Sequence, residues 1–231
     1  MQRQSPMAAR RRREFLKRVA AGAFGAGGAS AFLSRAFAKG DIPDVQGIAR
    51  LDGTAMVNGQ PARVGTPVTA RDKVATGPGS KAVIVVKDDA FLLREGTNIE
   101  FTETNGVLSQ VLLANGRLLS VFGAKKDGLK IKVLDVSIGI RGTGAYLEVE
   151  PRRVYFCLCY GDALIESPGM PAREVRTRHH EQPLFLNQEG AAMVAEPGPF
   201  RNHSDDELIL LEELVGREPP FRRGPSGTYK Y

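Results

Sequence analysis

The two cysteines of this chain, Cys157 and Cys159, are two residues apart in an apolar run that predicts a β-strand. Because side chains alternate between the two faces of a strand, both thiols should project from the same face. A disulfide between them is disfavoured, since an extended chain holds their Cβ atoms roughly 6 to 7 Å apart and a disulfide needs about 3.8 Å. Two thiolates on one tetrahedral ion need sulfurs only about 3.8 Å apart, so the spacing is compatible with a metal site.

The three histidines, His179, His180 and His203, all follow the cysteines, in segments that predict irregular structure. If these segments fold back over the cysteine face, two histidines would complete a four-coordinate site, for which zinc is the typical metal. The alternative is that the cysteines are small core hydrophobes and that the adjacent histidines lie on a solvated surface. Free thiols survive poorly in an oxidising compartment unless they are buried or ligated.

Sequence motifs of the common enzyme classes are missing from the chain. There is no G-x-S-x-G, no P-loop, no H-E-x-x-H, and no G-x-G-x-x-G after a predicted strand. The acidic pairs, Asp88-Asp89 and Asp205-Asp206, are interpreted as a turn and as a helix N-terminus. We therefore predict a protein that acts by binding and is not an enzyme. The rival hypothesis is a metal-binding protein or metalloenzyme built on the cysteines and histidines.

Short strands are the elements that must position these side chains. Apolar or alternating runs recur about every 8 to 12 residues, separated by turns rich in Gly, Asn and Asp, which is typical of an all-β domain. Around the cysteines, Ala145 to Glu150 and Arg153 to Tyr160 predict a β-hairpin. Asn58-Gly59 is the dipeptide best suited to a type I′ turn. Periodicity alone leaves a β-helix-like stack and a sandwich both open.

The segment Ile138 to Thr143, I-G-I-R-G-T, closely resembles the irGT signature of the FecR domain, a periplasmic domain named after the ferric citrate uptake regulator. The signature residues are Arg141, Gly142 and Thr143. Further FecR-like pieces follow the family's order: Thr76 to Ala82, Asp88-Asp89 with Phe91 to Leu93, Asn115 to Leu118, and Val154 to Phe156 with Gly161.

This resemblance covers roughly residues 47 to 166 and implies a β-helix-like stack of short strands. It also implies a role in envelope signalling with a protein or receptor partner.

We expect Gly142 to lie where φ is positive or where a side chain would collide, so that Gly142→Val would cost well over the roughly 1 kcal/mol of an average substitution.

Residues 1–38 are similar to a cleavable twin-arginine export signal. The motif is Arg12-Arg13-Glu14-Phe15-Leu16-Lys17, in which Arg12, Arg13, Phe15 and Leu16 are the signal residues. A weakly apolar, Gly/Ala-rich segment and an Ala36-Phe37-Ala38 cleavage site follow it. We expect the mature chain to begin near Lys39, to be soluble in the periplasm, and to have no transmembrane anchor after cleavage.

The charge of the chain is concentrated in this leader. Residues 1–38 hold eight of the 32 Lys and Arg residues and one of the 26 Asp and Glu residues, so the remainder carries 24 − 25 = −1. The formal charge of +6 therefore belongs to the leader. A mature chain that is close to neutral gives no reason to expect nucleic-acid binding.

Residues 167–231 predict a C-terminal extension to the β domain of residues 39–166. Ser167 to Pro171 is typical of a linker, and residues 190–201 are loop-like in composition. Ser204 and Glu207 have the spacing of a capping box, which predicts a helix over about 205–215. We expect a disordered tail from Arg222 to Tyr231.

The signalling FecR proteins carry a cytoplasmic anti-sigma segment and a membrane-spanning helix, where this chain has the leader, so we predict a periplasmic binding, sensing or scaffold module.

Overall fold

The computed structural model describes residues 46–124, 128–223 and 229–230, the last two strand segments by their backbone alone. The fold is all-β with one short C-terminal helix, as the sequence predicted. The strands in chain order are β1 Gly47–Asp52, β2 Ala55–Val57, β3 Gln60–Ala62, β4 Lys73–Thr76, β5 Lys81–Val86, β6 Asp89–Leu93, β7 Asn98–Thr104, β8 Val107–Asn115, β9 Arg117–Val121, β10 Leu129–Val133, β11 Val136–Glu150, β12 Arg153–Ser167, β13 Met170–Thr177, β14 Leu184–Glu189, β15 Ala192–Pro197, β16 Arg222–Arg223 and β17 Tyr229–Lys230; the helix is α1 Asp205–Leu214.

Strands β1 to β15 form one continuous sheet. Its main path runs β1-β5-β6-β9-β11-β10-β8-β7-β4-β2-β3, while β12 pairs with β11, β13 and β14, and β15 pairs with β14. Among the described strands, β10 with β8 is the parallel pair, and the neighbours along the rest of the path are antiparallel. A parallel β-helix needs parallel neighbours and a sandwich needs two sheets. The fold is therefore neither a parallel β-helix nor a two-sheet sandwich, because strands β1 to β15 form a single curled sheet.

The sheet curls because one face of almost every strand contributes to the same apolar core. Phe91 lies at its centre, with the rings of Phe101 and Phe122 at centroid distances of 5.0 and 5.6 Å. The opposite face carries a second cluster, in which Leu208 and Leu211 of α1 pack over β6 and β9. Both leucines are fully buried, and each such burial contributes roughly 1.5 to 3 kcal/mol. This second cluster is the one that contains both cysteines.

The predicted hairpin around the cysteines is present and is longer than expected. β11 and β12 have 15 residues each and are joined at Pro151-Arg152. β11 pairs with β10 as far as Ile140 and with β9 from Gly144 onward, so the FecR-like signature is the point at which this strand changes neighbours. The register with β12 is irregular at the same point, between Arg141 and Ala145.

Gly142 has φ +60°, as the sequence analysis expected. The alternative expectation, a steric collision at this position, is wrong, because a Cβ on Gly142 would lie 3.6 Å from Ala124 Cα, an ordinary contact. The crowded glycine of this joint is Gly161 in β12, where an added Cβ would lie 2.5 Å from Thr143 Cγ2 and 2.9 Å from Gly142 O. β11 and β12 approach each other so closely at this joint that position 161 has no room for a side chain.

The C-terminal extension contains more sheet than the sequence predicted. The expected linker at Ser167 to Pro171 is the turn between β12 and β13, and much of the expected loop over residues 190–201 is β15. In β13 only Val175 and Thr177 are buried, because β13 is an edge strand that pairs with β12 alone. Its apolar signal is therefore too sparse for a pattern of residues to reveal a strand.

The helix agrees closely with its prediction. Ser204 Oγ accepts a hydrogen bond from Glu207 N, and Ser204 N donates to the Glu207 carboxylate, which completes the capping box. α1 ends at Leu214, and Gly216 follows with φ +75°. In the tail, where the sequence predicted disorder, β16 and β17 pair over four residues through backbone hydrogen bonds.

The proposed signal residues Arg12, Arg13, Phe15 and Leu16, and the cleavage site after them, lie outside the described residues. Within the part of the chain that the structure describes, no helix has the length and apolar character needed to cross a membrane.

Candidate functional site

The two cysteines lie at a gap along one edge of β12. β14 pairs with Arg153 to Phe156, and β13 pairs with β12 from Gly161 onward, both on the edge opposite β11. The connection between β13 and β14, residues 178–183, therefore runs along this edge of β12 past the cysteines. It is fastened there by Thr177 Oγ1, which donates to Leu158 O at 2.8 Å, and by His180 N, which donates to Cys159 O at 3.0 Å.

His180 occupies an unusual backbone conformation in this connection. Its φ is +56°, in the left-handed region that costs a residue with a bulky side chain about 1 to 3 kcal/mol. The hydrogen bond to Cys159 O holds it there. As a result, the His180 ring turns inward over the cysteines.

The structure brings together four of the five residues that the sequence singled out. Cys157 Sγ lies 3.5 Å from His180 Nδ1, and Cys159 Sγ lies 3.5 Å from His203 Nε2. The two ring nitrogens are 3.3 Å apart. All four atoms lie within 4.8 Å of one another, and we refer to these residues as the Cys–His cluster.

Each histidine of the cluster uses its second ring nitrogen to contact an acceptor. His180 Nε2 lies 3.0 Å from Asp205 Oδ1, and His203 Nδ1 lies 2.7 Å from the Arg201 carbonyl oxygen. The fifth predicted residue, His179, lies outside the cluster, with its Nε2 2.9 Å from the same Asp205 oxygen.

The sequence did not indicate Asp205 as a site residue, because the favourable interaction of an acidic side chain with the helix N-terminus already accounts for an aspartate in the first turn of α1. The one signal in the sequence was its position two residues after His203.

The cluster is closed to solvent by neighbouring side chains. Both cysteines are 0% exposed, and His203 is 7% exposed. His203 stacks on Tyr146 with centroids 4.4 Å apart, and Phe200 lies against both cluster histidines at 4.5 and 4.6 Å. These contacts separate the two sulfurs and the two facing ring nitrogens of the cluster from solvent.

The electrostatics of the cluster favour a thiolate at Cys157. A hydrogen bond from the Cys159 thiol lowers the pKa of Cys157 against the effect of desolvation, and His180 and His203 lower it further. Desolvation, followed by the neighbouring Cys157, raises the pKa of Cys159. Burial opposes protonation of His180, but Asp205 and Cys157 outweigh it and raise its pKa. The buried Cys157 thiolate is an anion that can bind a cation.

A separate surface groove runs beside the FecR-like signature, with a volume of about 1520 Å³. The exposed residue Arg141 lines it, and the structure therefore places the signature both at a structural joint and at a surface. Opposite charges pair across its walls, at Arg176 with Asp162 and at Lys130 with Glu166. The sequence analysis did not anticipate this groove, because its lining comes from strands that are distant in the chain.

Neither a protein-family model nor a curated protein matches this chain. Two crystal structures of a candidate anti-sigma factor from Parabacteroides distasonis, at 1.65 and 2.50 Å resolution, are similar to it. Each has 10% sequence identity and a TM-score of 0.46, over 54% of this chain and 59% of that chain. The matched region thus spans less than two thirds of the neighbour's length. At this identity and TM-score the likeness assigns neither a family nor an activity to this chain.

Proposed function

We propose that this protein is exported to the periplasm and acts there as a FecR-like binding, sensing or scaffold module, and that it is not an enzyme. The observation that carries the proposal is the groove beside the signature, whose walls hold charges of both signs. Such a surface suits a polar polypeptide of an envelope protein.

The positions of the FecR-like pieces in the fold also support the proposal. Gly116 has φ +93° and packs on Thr97, where no Cβ would fit. Asp89 is fully buried and accepts a hydrogen bond from Gly123 N at 3.0 Å. Ser80 Oγ accepts one from Thr54 N at 2.9 Å. These three pieces thus occupy turns or joints of the sheet, where the residue type is constrained.

The groove predicts a site-specific contact with its partner in the cell. A photo-crosslinking amino acid at Leu164, a partly exposed groove residue, should give a covalent adduct of discrete mass, because the partner covers this surface. The same probe at Met56, which is 51% exposed and lies outside the groove lining, should give none. Charge reversal at Arg141 should lower the adduct yield about fivefold, corresponding to ~1 kcal/mol of binding free energy. Equal labelling from Leu164 and Met56, or no adduct at Leu164, would remove the groove as a binding site.

Export predicts a second result, independent of the groove. Replacing Arg12 and Arg13 together by lysine should leave the precursor in the cytoplasm, because the twin-arginine pair is what this pathway recognises. Cell fractionation followed by immunoblotting measures the result. A matched control changes the neighbouring pair Arg10 and Arg11, which should leave export intact. An undiminished amount of mature protein in the periplasm of the Arg12/Arg13 variant would contradict twin-arginine export.

A further inference from the structure

We infer that Cys157, Cys159, His180 and His203 bind one Zn²⁺ ion in a closed tetrahedral site. This inference goes beyond the envelope role proposed above, since it concerns a different face of the sheet and can fail without affecting that role. It rests on the separations of the ligand atoms, on the contacts of the second ring nitrogens and on the burial of the cluster.

The separations agree with a tetrahedron around zinc. With Zn–S bonds of about 2.3 Å and Zn–N bonds of about 2.05 Å, tetrahedral angles place sulfur about 3.5 Å from nitrogen and the two nitrogens about 3.3 Å apart. The observed sulfur–nitrogen separations are 3.5 Å for Cys157 with His180 and 3.5 Å for Cys159 with His203. The observed nitrogen–nitrogen separation is 3.3 Å. Three edges of the tetrahedron therefore have the lengths that a zinc ion would impose.

The hydrogen bonds of the histidines also favour a cation at this point. A backbone carbonyl can only accept, so His203 must carry its proton on Nδ1, the atom that faces Arg201 O. An ionised carboxylate likewise only accepts, so His180 carries a proton on Nε2, which faces Asp205. In neutral rings the two remaining nitrogens then direct lone pairs at each other across 3.3 Å. A positive ion between them converts this repulsion into bonding.

The same contacts form the outer shell that protein zinc sites use. A ligating histidine usually donates its other N–H to a carboxylate or a backbone carbonyl, which fixes the tautomer and the ring orientation. Asp205 provides the carboxylate for His180, and Arg201 provides the carbonyl for His203. Stacking on Tyr146 further restricts the His203 ring.

Ligand chemistry and burial identify zinc in a structural role. Two sulfurs and two imidazole nitrogens in a tetrahedron are typical of zinc, whereas Mg²⁺ and Ca²⁺ select oxygen. Two thiolates and Zn²⁺ sum to zero charge, which suits cysteines that are 0% exposed. The four protein ligands fill the coordination sphere, so the ion has no open position for a substrate. Its effect is to tie β12, the β13–β14 connection and the start of α1 together.

The direct test measures metal in the full-length protein purified under reducing conditions. We expect about one zinc per chain by elemental analysis. Cobalt exchanged into the site should give thiolate-to-cobalt charge-transfer and tetrahedral d–d absorption bands. Cys157→Ser, His180→Gln and His203→Gln should each lower zinc affinity at least 100-fold, and Asp205→Asn should lower it about 10-fold to 100-fold as an outer-shell change. His179→Gln is the matched control and should keep the full zinc content.

Three results would overturn the inference, and the first two do not depend on whether a variant folds. The first is wild-type protein that contains no stoichiometric zinc and takes up none on titration with zinc and reductant. The second is a cobalt spectrum that lacks thiolate charge-transfer bands. The third is an equal loss of zinc in His179→Gln and His180→Gln when circular dichroism shows both variants folded, which would assign the metal to His179, His180 and Asp205 instead.

Proteolysis provides a readout of the structural role. Trypsin should cleave after Arg178, in the connection that crosses the cysteines, at least about 10-fold faster once a chelator has removed the ion, because local opening of this connection becomes easier. Restoring zinc should restore protection. Cleavage at the same rate with and without chelator would show that the ion does not fasten this connection and would overturn the structural role.

Discussion

Gly116→Ala should destabilise the protein by about 3 kcal/mol or more, whereas Gly142→Ala should cost only about 1 kcal/mol. Both glycines have positive φ, +93° and +60°, and a Cβ in that region costs roughly 1 to 2 kcal/mol. At Gly116 the new Cβ would also lie 2.8 Å from Thr97 Cβ and still closer to the Thr97 backbone. Relieving such a contact in a packed interior typically costs another 1 to 3 kcal/mol.

Thr97 cannot easily move away, because it is fully buried and bonded on both sides. Its Oγ1 accepts a hydrogen bond from Arg117 N at 3.0 Å and donates to Arg117 O at 3.1 Å. Urea unfolding followed by circular dichroism measures both variants. Gly59→Ala is the control, because Gly59 has a similarly positive φ of +77° and its Cβ would have open space. Equal losses in Gly116→Ala and Gly59→Ala would show that the contact with Thr97 has no energetic weight.

Arg94→Met should lower the free energy of unfolding by about 3 to 5 kcal/mol, because it leaves a carboxylate buried without its counter-charge. Arg94 Nη2 donates to both oxygens of Glu207 at 3.0 Å and to Asn202 O at 2.7 Å. The two side chains of this ion pair are 9% and 2% exposed. Glu207 is also the third residue of α1 and half of its capping box, so the pair fastens the start of the helix to the end of β6.

The control for this prediction is an ion pair of the same types on the surface. Arg71 and Glu103 form such a pair, but the Arg71 side chain is 74% exposed, and pairs of this kind contribute about 0 to 1 kcal/mol. Arg71→Met should therefore change stability little. The double variant Arg94→Met with Glu207→Leu should regain part of the loss, since no unpaired charge remains. A cost below about 1 kcal/mol for Arg94→Met, measured at the same zinc concentration, would contradict the prediction.

The sequence by itself determined most of the strands up to β12 and the start of the helix. The turn at Asn58-Gly59, the hairpin through Pro151-Arg152 and the capping box at Ser204 were predictable because neighbouring residues decide them. The shared face of Cys157 and Cys159 was predictable for the same reason, since two-residue periodicity is a property of a single strand. Local backbone geometry is sufficient for each of these features.

Only the tertiary structure decided where the later strands pair and which histidines meet the cysteines. β13 and β14 pair one after the other with the same edge of β12. This pairing depends on backbone hydrogen bonds, and β13 has too few buried apolar residues for a sequence pattern to predict it. The docking carries the segment with His180 across Cys157 and Cys159, and α1 brings His203 and Asp205 from the other side. His179 and His180 are adjacent and identical in type, so no sequence pattern distinguishes them. The left-handed backbone of His180, fixed by its bond to Cys159 O, directs one ring inward and leaves the other outside the cluster.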